Sequence, residues 1–231
     1  MKKYQLLELL IVIALGVVAT LYSSHADTDL ATTAQASPQN TTQHKVTKKG
    51  KVLVAYFSVP ETDGVDASSG ASRVIDNGKL MGNTQYVATV ISKATGGDLF
   101  NIKTVHTYPG THQALIDAAK KEIDSNARPK LSTHIKNLKD YDVVFVGFPN
   151  WWYDMPMPIY SFFAEYDFSG KTIIPFCTHG GSRFSDAIKT IRNLEKKATV
   201  LDGYSVSRNR VSQSKDGIIK WLDHIGLAKG K

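Results

Sequence analysis

Tyr141-Asp142-Val143-Val144-Phe145-Val146-Gly147-Phe148-Pro149-Asn150-Trp151-Trp152 is the stretch that decides the fold. Six apolar residues run without alternation and stop at a proline, which is how a strand covered on both faces of a parallel sheet reads. Two similar runs flank it, Val52-Leu53-Val54-Ala55-Tyr56-Phe57 ending at Ser58, and Thr172-Ile173-Ile174-Pro175-Phe176-Cys177. Weaker strand candidates are residues 98–105 and 199–207. Between these runs lie segments with helical spacing: Tyr86, Val87, Val90, Ile91 and Ala94; Leu115, Ala118, Ala119 and Ile123; Ile159, Phe162 and Phe163; Ile188, Ile191 and Leu194; Ile218, Ile219, Leu222 and Ile225. Strands and helices therefore alternate from residue 51 onward, which predicts an α/β domain with a mostly parallel sheet and right-handed crossovers.

Ligands of such sheets sit outside the carboxyl ends of the strands, where the strand order reverses. Three loops occupy that rim. The first, residues 58–84, ends in Gly82-Asn83-Thr84 just before the first amphipathic helix. Backbone N–H groups at a helix start, the Asn83 amide and the Thr84 hydroxyl form an anion cradle without Lys or Arg, and the Ser58 hydroxyl closes it from the strand end. A plain helix cap is the competing reading of those three residues taken alone. The second loop, residues 149–158, carries Trp151 and Trp152, two of the three tryptophans, at a strand end. Large flat rings there suit a planar aromatic ligand, with one indole expected in a structural role and one against the ligand. The third loop, Thr178-His179-Gly180-Gly181-Ser182, offers backbone donors at close approach because its glycines remove side-chain obstruction, and His179 adds a possible ring donor.

These motifs, taken in order with Tyr56-Phe57-Ser58 at the head and Pro175-Phe176-Cys177 before the last loop, resemble the flavodoxin superfamily across nearly all of residues 51–227. The resemblance implies a flavodoxin-like, doubly wound, five-stranded parallel sheet of order 2-1-3-4-5 with helices on both faces, and noncovalent FMN. It implies that Ser58, Asn83 and Thr84 hold the FMN phosphate, with Gly82 giving the tight approach. Pro149, Asn150, Trp151 and Trp152 would line the isoalloxazine, and Thr178, His179, Gly180, Gly181 and Ser182 its other edge. One departure stands out: the 23 residues from Val59 to Met81 separate Ser58 from Gly82, where a simple flavodoxin closes this loop in a few residues. Rich in Gly, Ser and Asp, this insertion is expected to loop over solvent or to fold as a lid near the flavin, and no role is assigned to Glu61, Asp63 or Arg73.

Composition narrows the function classes. The chain of 231 residues holds 28 Lys or Arg against 21 Asp or Glu, a formal charge of +7, and is 42% hydrophobic. That is a globular composition, and one domain of this length buries roughly 70% of its unfolded surface. The basic excess is spread out, with no basic arm, so nucleic acid is not an expected partner. The domain also lacks the acidity of electron-carrier flavodoxins. Cys177 is the only cysteine, which excludes an intramolecular disulfide and a Cys-based metal site, and the seven His residues show no paired metal-ligand spacing. Gly170-Lys171-Thr172 is not a P-loop, because Glu165 stands where its first Gly belongs, and no Gly-x-Ser-x-Gly accompanies His179-Gly180-Gly181.

Residues 1–26 read as a signal peptide or an N-terminal membrane anchor. Lys2 and Lys3 precede a run from Leu9 to Tyr22 of 14 residues, the length of a signal-peptide core, and Ser24-His25-Ala26 offers a cleavage site. An uncleaved segment would attach the protein to a membrane through residues 5–22. Residues 27–50 are polar and read as a disordered linker to the domain at 51–231. The expected protein is thus exported, extracytoplasmic, and either secreted or anchored by its N-terminus. Its expected activity is that of an FMN-dependent oxidoreductase passing electrons from a reduced donor such as NAD(P)H to an acceptor such as a quinone. The alternatives are a non-enzymatic flavodoxin-type electron carrier, a flavin-binding surface protein, or a domain that kept the fold and lost the flavin.

Overall fold

The computed structural model describes residue 46 and residues 50–62 and 72–229. The leader at 1–26, almost all of the linker at 27–50, and residues 63–71 of the insertion lie outside the described residues. Val46 and Gly50 are the exceptions within the linker, and Val46 N–H donates to Ile225 O (3.1 Å).

The three apolar runs form the strands β1 (Val52–Tyr56), β5 (Val143–Pro149) and β6 (Thr172–His179). β4 (Asp98–Asn101) pairs with the outer side of β1, and the far edge carries two short strands, β7 (Thr199–Val200) and β8 (Tyr204–Ser207), both parallel to β6. The spatial order β4-β1-β5-β6-β7/β8 is all parallel, the doubly wound 2-1-3-4-5 arrangement. The edge strand expected as one run over 199–207 breaks at Gly203, which takes φ 76°.

Side chains alternate across the sheet, so each apolar run feeds two cores. Leu53, Ala55, Phe57, Val144, Val146, Phe148, Ile173 and Cys177 meet α2 (His112–Asp124), α3 (Met157–Glu165) and α4 (Ala187–Leu194) on one face. Val54, Tyr56, Val143, Phe145, Ile174 and Phe176 meet α1 (Asn83–Thr95) and α5 (Lys215–His224) on the other. Cys177 is one of these core groups; burial pushes its thiol pKa up, which keeps it protonated and unreactive.

The described end of the insertion, residues 72–81, forms regular structure. Arg73–Asp76 (β2) and Lys79–Gly82 (β3) form an antiparallel hairpin. Asn77 (φ 49°) and Gly78 (φ 76°) turn it, the Asn-Gly pairing that two-residue hairpins favour because both positions need positive φ. β3 runs directly into α1, so the hairpin delivers the chain to the start of that helix. Among the described residues no helix is long and apolar enough to cross a membrane.

Candidate functional site

The upper rim of the sheet encloses a cavity of about 430 Å³, within the usual range for small-molecule sites. Its floor is the joint between β1 and α1. A Cβ on Gly82 would stand 2.0 Å from Ser58 Oγ, so any larger residue there would displace the Ser58 hydroxyl from the joint between the helix start and the strand end. Thr84 and Thr178, both buried, share a hydrogen bond between their hydroxyls (2.9 Å), which ties α1 to the end of β6. Asn83 is buried and lines the cavity. Two backbone donors of this cradle are already engaged: Asn83 N–H donates to Ser72 O (2.8 Å) and Gly82 N–H to Gln85 Oε1 (3.3 Å).

One wall is the loop after β5. Asn150 N–H donates to Thr178 O (2.8 Å) and its Nδ2 to Arg183 O (2.9 Å), which binds the second loop to the third. Trp151 and Asp154 exchange backbone hydrogen bonds (3.0 and 3.1 Å), and this tight turn places Trp152 and Tyr153 at φ 52° and 68°. The Asp154 carboxylate holds the turn by accepting from Met155 N–H (2.7 Å) and Tyr160 O–H (2.6 Å). Trp151 packs edge-on against Phe57 and Tyr108, with ring centroids 5.5 Å apart in both cases, while Trp152 is 46% exposed and donates from Nε1 to Ile116 O (3.2 Å). The two indoles therefore divide their work: Trp151 is anchored in the core and Trp152 stands at the mouth, and both line the cavity.

The third loop supplies the opposite edge. His179, Gly180 and Ser182 line the cavity beside Pro149 and Asn150. Gly181 N–H donates to His179 Nδ1 (3.0 Å), so the ring proton sits on Nε2. Burial, with the nearby Arg183 charge added, holds the His179 pKa below its usual value and favours this neutral donor. Gly181 (φ 147°) shapes the turn without lining the cavity, and Ser58, Gly82 and Thr84 likewise do not border it: they form the joint behind Asn83 and Thr178, which do.

The remaining wall was not evident from the sequence. Glu61, only 3% exposed, accepts from Ser72 N–H (3.1 Å) and pairs with His112 Nδ1 (2.8 Å). Behind that pair, Leu115, Ile116 and Ala119 of α2 close the side. Arg208, which follows β8, completes the rim. The helical spacing of Leu115 and Ala119 was a visible signal; nothing local marked Glu61 or Arg208. No cluster of metal-ligating side chains occurs among the described residues.

The residues present fit FMN. The floor offers hydroxyl, amide and helix-start donors with the glycine clearance an anionic tail needs, and the walls offer indole surface opposite a glycine-rich polar loop. Comparison with known proteins points the same way. Residues 74–225 match the flavodoxin family model. Among solved structures, a candidate flavoprotein of Bacteroides uniformis is 27% identical with a TM-score of 0.59, over 76% of this chain and 99% of that one. A candidate flavoprotein of Bacteroides eggerthii is 27% identical with a TM-score of 0.57, over 77% of this chain and 98% of that one. A flavoprotein of Lactobacillus acidophilus, solved in complex with FMN, is 17% identical with a TM-score of 0.49, over 71% of this chain and 97% of that one. No curated protein matches the chain significantly. The family match spans more than half of the sequence, and it supports FMN as the cofactor: the chain belongs to the flavodoxin family.

Proposed function

We propose that the protein is an FMN-dependent oxidoreductase that passes electrons from a reduced donor of the NAD(P)H class to a small acceptor such as a quinone. The observation that carries this reading is convergence: Asn83 at the helix start, the two indoles and the His179–Gly180 edge all border one cavity. Bound FMN supplies the redox chemistry, and the chain supplies position and electrostatics. In this reading the phosphate rests on the start of α1, with the Thr84 hydroxyl and the N–H groups of Thr84 and Gln85 as donors. Trp152 covers one face of the ring system, Trp151 and Pro149 keep water from its inner edge, and His179 Nε2–H with the N–H groups of Gly180 and Ser182 bonds its polar edge. The paired Glu61 and His112 place an acid–base couple on the wall beside the ring, which favours proton-coupled reduction of a small acceptor. The apolar leader favours action outside the cytoplasm.

A second reading draws on the exposed edge at Trp152 and Tyr153, 46% and 68% accessible, which suits contact electron transfer to a partner protein. Steady-state assays separate the two. Oxidation of NADH or NADPH with a quinone, faster than free FMN gives at equal concentration, supports the enzyme. Retained FMN with no turnover rejects the enzyme and leaves the carrier.

A further inference from the structure

Among the described residues that line the cavity, Arg208 is the sole Lys or Arg. Its place follows from strand register. Ser207, the last residue of β8, is the parallel partner of His179, so the next residue on that strand comes alongside Gly180. The guanidinium occupies the room that a side chain at 180 would take: a Cβ there would lie 3.0 Å from Arg208 Nη1 and 3.4 Å from Cζ. The short helical turn Arg208–Gln213 is pinned from below by Val211, buried in the core with α1 and α5, and Ser214 Oγ–H closes it on Val211 O (2.7 Å). Strand register and the turn that follows it thus set Arg208 beside Gly180.

His179 is held neutral and brings a donor without charge. Among the described residues that line the cavity the one carboxylate is Glu61, which lies on the α2 wall and is engaged by Ser72 N–H and His112. An isoalloxazine that takes up two electrons and one proton, the proton going to N5, gains one negative charge spread over N1 and C2=O. A cation at that edge favours the reduced ring over the neutral oxidised one.

We propose that Arg208 is the charge partner of the reduced cofactor: its guanidinium, seated over Gly180, faces the N1–C2=O edge and makes the protein bind the two-electron-reduced anionic ring more tightly than the oxidised ring. The inference rests on the FMN reading above and deepens it, because such a site favours paired electrons over the single-electron, low-potential service of an acidic carrier.

The test uses the full chain with FMN bound. The two-electron midpoint potential is measured by spectroelectrochemical titration, and the affinities for oxidised FMN and for riboflavin by fluorescence quenching. Arg208→Gln is expected to cut the preference for reduced over oxidised FMN at least tenfold, a fall of about 30 mV for a two-electron couple, while FMN and riboflavin affinities change little and to the same degree. Arg208→Lys keeps the charge and is expected to keep most of the potential. Gly180→Ala pushes the guanidinium aside without removing it and is expected to lower the potential by less than Arg208→Gln does, a check that holds even where the charge-removing variant fails to fold. An unchanged potential overturns the proposal. So does a loss of FMN affinity that spares riboflavin, which would assign the guanidinium to the phosphate. A parent protein that binds no FMN at all rejects both this proposal and the function it rests on, whereas bound FMN with an unmoved potential rejects only the role of Arg208.

Discussion

The two rims of the sheet solve the same backbone problem with opposite residue choices. At the lower rim, where helices return toward strands, left-handed conformations fall on Gly96 (φ 68°), Gly170 (φ 74°), Gly226 (φ 78°) and Asn126 (φ 49°), residues that adopt them cheaply. Ion pairing there is local and exposed, as in Lys51 with Asp98 (2.8 Å). At the upper rim the same region of conformational space holds Trp152, Tyr153, Arg183 and Ser185. Each side chain there costs roughly 1 kcal/mol or more that glycine would avoid. Residues at the lower rim are chosen for the backbone and those at the upper rim for the side chain, and the cost is held in place by the Asp154 carboxylate and by the Asn150 bond to Arg183 O.

That contrast can be broken most forcefully at its clamp. Asp154→Ala removes the acceptor for Met155 N–H and Tyr160 O–H, and loses about 3 kcal/mol of unfolding free energy in urea titration, given charge-assisted bonds of this kind. A loss below about 1 kcal/mol would mean that the turn holds itself. The rims are then compared directly. Gly170→Ala meets no atom within 4 Å, so its cost is conformational alone, about 1 kcal/mol. Tyr153→Gly at the upper rim stays within about 0.5 kcal/mol of the parent, because relief of left-handed strain offsets the added chain entropy, while it weakens flavin binding. Equal losses in the two variants would erase the distinction.

The smallest effect is a pH dependence at His179. Its folded pKa lies below the ordinary 6.5, so its contribution to stability is fully present above that pH and is lost as pH falls through the folded value. Protonation at Nδ1 would also set a donor against Gly181 N–H. His179→Gln therefore flattens the fall in stability on the acid side of pH 6.5 relative to the parent. Parallel curves for the two proteins would remove His179 from the account.

The strand skeleton was legible because the central runs are buried on both faces, which leaves continuous apolar text. The helix start at Gly82–Thr84 and the paired indoles were legible because each is contiguous in the chain. The hairpin β2–β3 was missed although Asn77-Gly78 is its signature, since its strands are four residues long and leave Ile75 and Leu80 exposed opposite each other, without the one-sided alternation that marks a buried strand. Glu61 and His112 lie 51 positions apart and meet only after folding. Arg208 reaches the cavity through the register of β8 on β6, which no local pattern records.

The central claim is that a mononucleotide lies along the upper rim with its phosphate on the start of α1 and its ring beside Trp152. The direct measurement is titration of the purified protein with FMN, followed by visible absorption and fluorescence, for the parent, Thr84→Ala and Trp152→Ala. The account predicts saturable binding of one FMN per chain, with affinity at least about tenfold weaker in each variant, as expected for loss of a buried hydrogen bond or an aromatic contact. A parent that stays colourless, or variants that bind as tightly as the parent, would contradict it.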